Sequence, residues 1–189
     1  MPDLLSTLRE ATGPAHESLD ASFGSLDLDK RGDLARFLAA HAIGLAPLFG
    51  TFSRFVQDRL GLDCPDYPAM LRGDLDRLGV GALPEIEGAE PSADGDGADA
   101  GTSYVICGSR LGLAMIRQKG YWGEAQGFRS AYMSDGRGHD AWKALVPVLR
   151  TGTYSAGQAL AARTAALAAF ETFSRAFAAS ARVQVRSDG

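Results

Sequence analysis

Three observations predict an all-α protein of one domain. Apolar residues recur at spacings of three and four along nearly the whole chain, which is the period of a helix face. No segment alternates apolar and polar residues over the length of a strand. The 189 residues, 46% of them hydrophobic, suffice for one substantial core. No repeat of 20 to 50 residues suggests a solenoid.

The elements follow in order. Leu4, Leu5, Leu8, Ala11, Ala15 and Leu19 form a first stripe. Gly13-Pro14 interrupts it and is expected to kink this helix or mark its start. Asp33 is a candidate cap for a second helix. Its face runs through Leu34, Phe37, Leu38, His41, Leu45 and Leu48, then Phe52, Phe55 and Val56. Pro47 is expected to bend or split it, and Gly61 to end it. A loop over 63–68 leads to a short helix over 69–78, closed by Gly79. Residues 84–101 are acidic and glycine-rich without apolar periodicity, and are expected to form a mobile surface loop. They do not divide the chain, because neither half has a closed core of its own, so one domain is expected over 1–182. A helix is expected from about Thr102 to Gln118, followed by an irregular stretch over 120–139. A helix over 140–150 carries Trp142, Leu145, Val146 and Leu149, with Pro147 as a kink. The last helix, over 155–181, carries Leu160, Leu167, Phe170, Phe173 and Phe177, and residues 183–189 are expected to be a disordered tail.

Composition excludes several function classes. A net charge of −4 and a pI of about 5.3 argue against a nucleic-acid partner. No uninterrupted apolar run reaches membrane-spanning length, and the N-terminus lacks the basic-then-apolar pattern of a secretory signal. Two cysteines, Cys64 and Cys107, stand at no metal-ligand spacing, so a reduced, cytoplasmic setting is expected. Zinc constellations, a Gly-x-Ser-x-Gly elbow and a phosphate loop are all missing.

The most informative local feature is a glycine pair, Gly108 and Gly112, inside the apolar helical run from Tyr104 to Ile116. Each glycine costs a helix about 1 kcal/mol against alanine. Two on one face serve either a close helix contact or a flat ligand lying against bare backbone. Taken alone, the pair reads most simply as helix packing.

His16 changes the weighting. It borders the first apolar stripe, and Asp20 follows one turn later on the same face. A carboxylate there is placed to accept the Nδ1 hydrogen and leave Nε2 as a metal ligand. Arg9 lies two turns earlier on that face, about 10 Å away. A histidine and a cation so spaced suit a cofactor with a central metal and acidic groups at its edge. Of the other histidines, His41 is expected to be a core residue with one hydrogen bond, and His139 a solvated loop residue.

These segments together resemble the heme oxygenase family, especially its bacterial biliverdin-producing members. Leu8-Arg-Glu-Ala-Thr-Gly-Pro-Ala-His16-Glu-Ser-Leu-Asp20 resembles the family's proximal helix, and Tyr104-Val-Ile-Cys-Gly-Ser-Arg-Leu-Gly112 its distal helix. Phe37-Leu-Ala-Ala-His41, the segment Leu71 to Gly79, and the helix holding Ala169-Phe170 are similar in order and spacing. Two positions depart from the family pattern. Leu113 stands where a second distal glycine is usual, and Cys107 where an acidic residue precedes Gly108.

The resemblance implies a fold in which heme lies between the proximal and distal helices. His16 would supply the axial nitrogen to iron. Gly108 and Gly112 would put backbone over the open iron face, with Ser109 helping to hold water that delivers protons. Arg9, and more weakly Lys143, would meet the heme propionates, while Tyr104, Leu113 and Phe170 would line the pocket. Heme would be both cofactor and substrate, opened with O2 to biliverdin, carbon monoxide and iron. Electrons would come from an external ferredoxin or reductase, since the chain carries no flavin or nicotinamide fingerprint. A heme carrier or sensor without turnover, and a heme-free helical interaction protein, are the alternatives on the same fold.

Overall fold

A computed structural model describes residues 3–86 and 95–186. Among the described residues there are eight α-helices, one short 3-10 turn and a single isolated β-bridge. The all-α class predicted from the spacing is the class observed.

Helix α1, Leu4–Gly24, starts at Asp3, whose carboxylate accepts from the Ser6 N–H at 2.7 Å. It runs unbroken through Pro14, so Gly13-Pro14 is not its start. Next comes α2, Arg31–Leu45, and then α3, Phe49–Asp58, with a 71° bend between them at the Pro47 break. Asp33 does not cap α2. It lies in the first turn, and its Oδ2 accepts from the Asp27 N–H across the preceding loop. Helix α4, Tyr67–Arg77, is capped by Asp66 and followed by Gly79 at φ +74°. No single described helix is long and apolar enough to cross a membrane; the bent pair α2–α3 passes on length and composition alone.

Helix α5, Asp96–Lys119, begins earlier than expected. Residues 96–101, assigned from the sequence to the acidic loop, are its first turns, and 87–94 of that loop lie outside the described residues. The glycines that look like loop signals have a packing role instead. A methyl on Gly97 or Gly101 would collide with the backbone carbonyls of Gln158 or Ala162. Asp96 and Asp99 also suit the positive end of the helix dipole. Helix α7, Arg137–Thr151, likewise begins before the expected 140, so His139 is an exposed residue of its first turn rather than of a loop. Between α5 and α7 lie the 3-10 turn Glu124–Gln126 and the one-turn α6, Ala131–Ser134.

Helix α8, Ala156–Ser180, opens on a complete capping box between Ser155 and Gln158. It is the central element, packing against α1, α2 and α5. Gly97 faces Gln158 and Gly101 faces Ala162, so α5 and α8 run in the same direction where they touch. Beyond α8 the chain is not free as far as residue 186. Val185 bridges to Val80, and the Arg186 N–H donates to the Gly79 carbonyl at 3.1 Å. The expected tail is therefore anchored over 183–186, and 187–189 lie outside the described residues.

Candidate functional site

Four glycines of α5, Gly97, Gly101, Gly108 and Gly112, are spaced by four, seven and four residues. At 3.6 residues per turn this is one stripe. The two halves of the stripe meet different surroundings. The first half packs on α8. The second half does not touch α8: a methyl on Gly108 would make ordinary contact with Trp142 at 3.8 Å, and one on Gly112 would meet nothing within 4 Å. Backbone-close helix packing thus accounts for Gly97 and Gly101, which the sequence had assigned to a loop, and not for Gly108 and Gly112.

What Gly108 and Gly112 face is a cavity of about 620 Å³ between α1 and α5, within the usual size range of small-molecule sites. Arg9, His16, Tyr104, Gly108, Ser109, Gly112, Leu113 and Phe170 all line it. The first stripe of the chain supplies one wall and the glycine helix the other, with Phe170 and Phe173 of α8 between them. Exposed residues, among them Arg9, Glu17, Asp20 and Met115, form its mouth. Phe37, His41, Val105, Leu113 and Phe173 are buried and form its inner end.

Lys143 is not part of this cavity. Helix α7 buries Ala141, Leu145 and Leu149 and turns Trp142 toward the glycine helix, which leaves Lys143 exposed to solvent. Cys107 is fully buried behind the cavity wall, and burial pushes its thiol up to about 12.

His16 Nδ1 lies 3.1 Å from Asp20 Oδ2. The carboxylate only accepts, so it favours a proton on Nδ1 and leaves Nε2 as a ligand atom. Phe170 meets the imidazole edge-on, with ring centroids 5.9 Å apart. The ring is therefore oriented from two sides while remaining 58% exposed. Opposite, the Ser109 hydroxyl donates to the Ile106 carbonyl at 2.7 Å. That spends its proton on the helix and leaves its oxygen as an acceptor.

The residue that sequence reasoning missed is His41. It is a core histidine with one hydrogen bond, as expected, but it also borders the cavity. Its Nδ1 sits 2.8 Å from the Phe37 carbonyl, four residues back on α2. Burial drives its pKa down to about 4, with the Arg110 charge adding a smaller push in the same direction. The ring is packed against Phe23, Phe37, Tyr132 and Phe173. Only the long-range approach of α1 and α6 to α2 reveals this role, and no local pattern in the sequence carries it.

Behind the glycine helix, Arg110 is sandwiched between Tyr67 and Tyr132, its guanidinium carbon 4.4 and 4.3 Å from the two ring centroids. Nη2 donates to the carbonyls of Tyr132 and Asp135 at 2.6 and 3.1 Å. Arg110 thus fixes α5 to α6 from the side away from the cavity.

Chemically, the site offers an exposed imidazole at His16, a buried one at His41, a strip of bare helix, a cation at the mouth and apolar walls. Among the described residues no three His, Cys, Asp or Glu side chains gather to hold a metal by themselves. Compared with known proteins, the chain matches no family model and no curated sequence.

Proposed function

We propose that this chain is a heme oxygenase, which binds heme in the α1–α5 cavity and opens it with O2 to biliverdin, carbon monoxide and iron. The observation that carries the reading is the pairing across one cavity of His16 with Gly108 and Gly112, where added methyl groups would meet at most the edge of Trp142. One exposed imidazole, oriented by a carboxylate and with no cluster of metal-binding side chains around it among the described residues, suits a metal whose other ligands arrive with a macrocycle. The strip at Gly108 and Gly112 is a cradle that side chains would fill, which suits a flat ring. The donor set and the shape therefore fit heme.

When bound, heme supplies both the iron that activates dioxygen and the carbon framework that is oxidised. The rest of the work belongs to the chain. His16 would bind through Nε2, with the Asp20 carboxylate accepting from Nδ1 and aiming the ring. As an imidazole ligand, His16 would donate less charge to a bound metal than a thiolate does. Gly108 and Gly112 would leave the α5 wall of the cavity bare of side chains beside the bound ring. The Ser109 oxygen is available to hold a water near that wall, with its own proton committed to Ile106. Arg9 at the mouth takes a carboxylate and so fixes the rotation of the ring. Leu113, Phe37 and Phe173 exclude bulk water from the inner end. Electrons come from an external ferredoxin or reductase.

Loading with hemin, then adding reductant and oxygen, tests the reading. A sharp Soret band that weakens in His16→Ala and decays as biliverdin absorption grows is the expected result. A band that persists without biliverdin makes the protein a heme carrier. The buried Leu113 side chain on the cavity wall favours that second reading. Absence of any Soret band ends both.

A further inference from the structure

We infer that the outer face of α8 is a self-association surface, on which two copies of this chain pair antiparallel about Leu167. The inference is independent of what the cavity binds.

Among the described residues three large apolar side chains are exposed: Met115 at 65%, Leu160 at 54% and Leu167 at 39%. Met115 stands at the mouth of the cavity. The other two lie on α8 and line no part of it. Leu160 and Leu167 are seven residues apart, so they share one face of the helix. Ala156, Arg163, Thr164, Glu171, Ser174 and Ala178 are exposed on that same face. Exposed leucines scattered singly are ordinary. Here they belong to a continuous strip of apolar and small residues, where a solvated helix face is usually charged. Only Arg163, Glu171 and Arg175 are charged among the 25 residues of α8.

The order of residues along the strip names its occupant. Arg163 lies four residues before Leu167 and Glu171 four residues after it, roughly 6 Å to either side. A two-fold axis at Leu167 that runs the helices antiparallel sets Arg163 of one copy level with Glu171 of the other, twice over. The same axis sets Leu160 level with Ser174 and Ala156 level with Ala178. Each Leu160 therefore meets a small side chain, and the ends of the strip approach closely. Parallel pairing in register would set like charge on like at both positions, which repels. Both charges are available for the contact. Arg163 is exposed and forms no ion pair among the described residues. Glu171 holds Arg175 through Oε1, which leaves Oε2.

The strip from Ala156 to Ala178 is roughly 33 Å long and one helix wide. That footprint falls short of the about 800 Å² per partner of a standard interface. The dimer is accordingly transient, populated in the upper micromolar range.

Sedimentation equilibrium of the full chain, from low micromolar to near-millimolar concentration, tests it. The wild type is expected to move from monomer to dimer across that range. Leu167→Glu sets two carboxylates face to face at the axis and should weaken association by roughly tenfold or more. Arg163→Glu and Glu171→Arg each make both contacts like-charged, and each should weaken it roughly 3- to 10-fold. An equimolar mixture of those two variants has opposite charges at both contacts and should associate about as well as the wild type. All three positions are exposed, so the variants keep the fold, which circular dichroism checks. A wild type that stays monomeric throughout overturns the inference. So does a dimer indifferent to Leu167→Glu, or a mixture that associates no better than its components.

Discussion

Asp74 on α4 holds Ser130 at the start of α6, its Oδ2 accepting a 2.6 Å hydrogen bond from the serine hydroxyl. The same carboxylate accepts from the backbone N–H groups of Ala131 and Tyr132, at 2.9 and 3.1 Å. Ser130 Oγ in turn accepts from the Met133 N–H. A buried carboxylate thus serves as the N-terminal anchor of a one-turn helix that could not persist alone. That helix presents Tyr132 to His41 and to Arg110.

Removing the anchor should be costly. Asp74→Ala leaves a hydroxyl and two N–H groups without their acceptor in a buried place, a loss of about 3 kcal/mol. Urea unfolding measures it. Asp74→Asn keeps one acceptor oxygen and should lose less.

The glycine stripe of α5 predicts opposite signs for the same substitution. Gly112→Ala adds a methyl to open space and removes the backbone entropy of glycine, so the ligand-free protein should gain roughly 0.5–1 kcal/mol. Gly101→Ala drives a methyl into the Ala162 carbonyl, where backbone cannot rotate away, and should lose roughly 1–3 kcal/mol. Thermal melts of the two variants decide it; equal shifts would remove the distinction between packed and open halves.

His41 sets an acid limit on stability. Its folded pKa of about 4 lies below the unfolded value, so the unfolded chain takes up the proton first. This group's contribution is intact above about pH 6.5 and declines as pH falls toward 4, by about 3 kcal/mol in total. Chemical denaturation at pH 7, 5.5 and 4.5 should show the decline, and His41→Leu should flatten it over that window.

On the opposite wall of the cavity, Asp20→Asn should weaken hemin binding by about tenfold, the low end for a ligand's orienting partner, because the pair is exposed. His16→Ala should abolish the coordinated spectrum, with added imidazole restoring it. A Soret titration reads both.

The legible parts of this molecule are the local ones. The His16–Asp20 contact follows from an i, i+4 spacing on one helix, and the Pro47 break from a ring that cannot donate. The start of α5 was misread because a glycine serving a helix contact and a glycine serving a loop are the same letter. Whether Gly108 packs or lies bare is likewise undecidable along the chain, since Gly101 has the same neighbours in kind. The answer lies in how α8 approaches, and α8 begins only at Ala156, far along the chain. His41 was read correctly as core, yet its place at the cavity depends on Phe23, Tyr132 and Phe173, drawn from three other helices. Lys143 lies off the cavity lining for a rotational reason: one position beyond Trp142, it turns off the face that the tryptophan uses.

Because α5 touches α8 at backbone distance at Gly97 and Gly101, the lean of α5 over α8 sets how far its bare strip at Gly108 and Gly112 stands from α1 across the cavity. Such a slot admits by thickness. A planar guest advances until both helices grip it, while a globular one stops near the entrance. The angle that sets this tolerance is fixed by two absent methyl groups that never meet the guest, so selectivity can be retuned from a position well outside the binding surface.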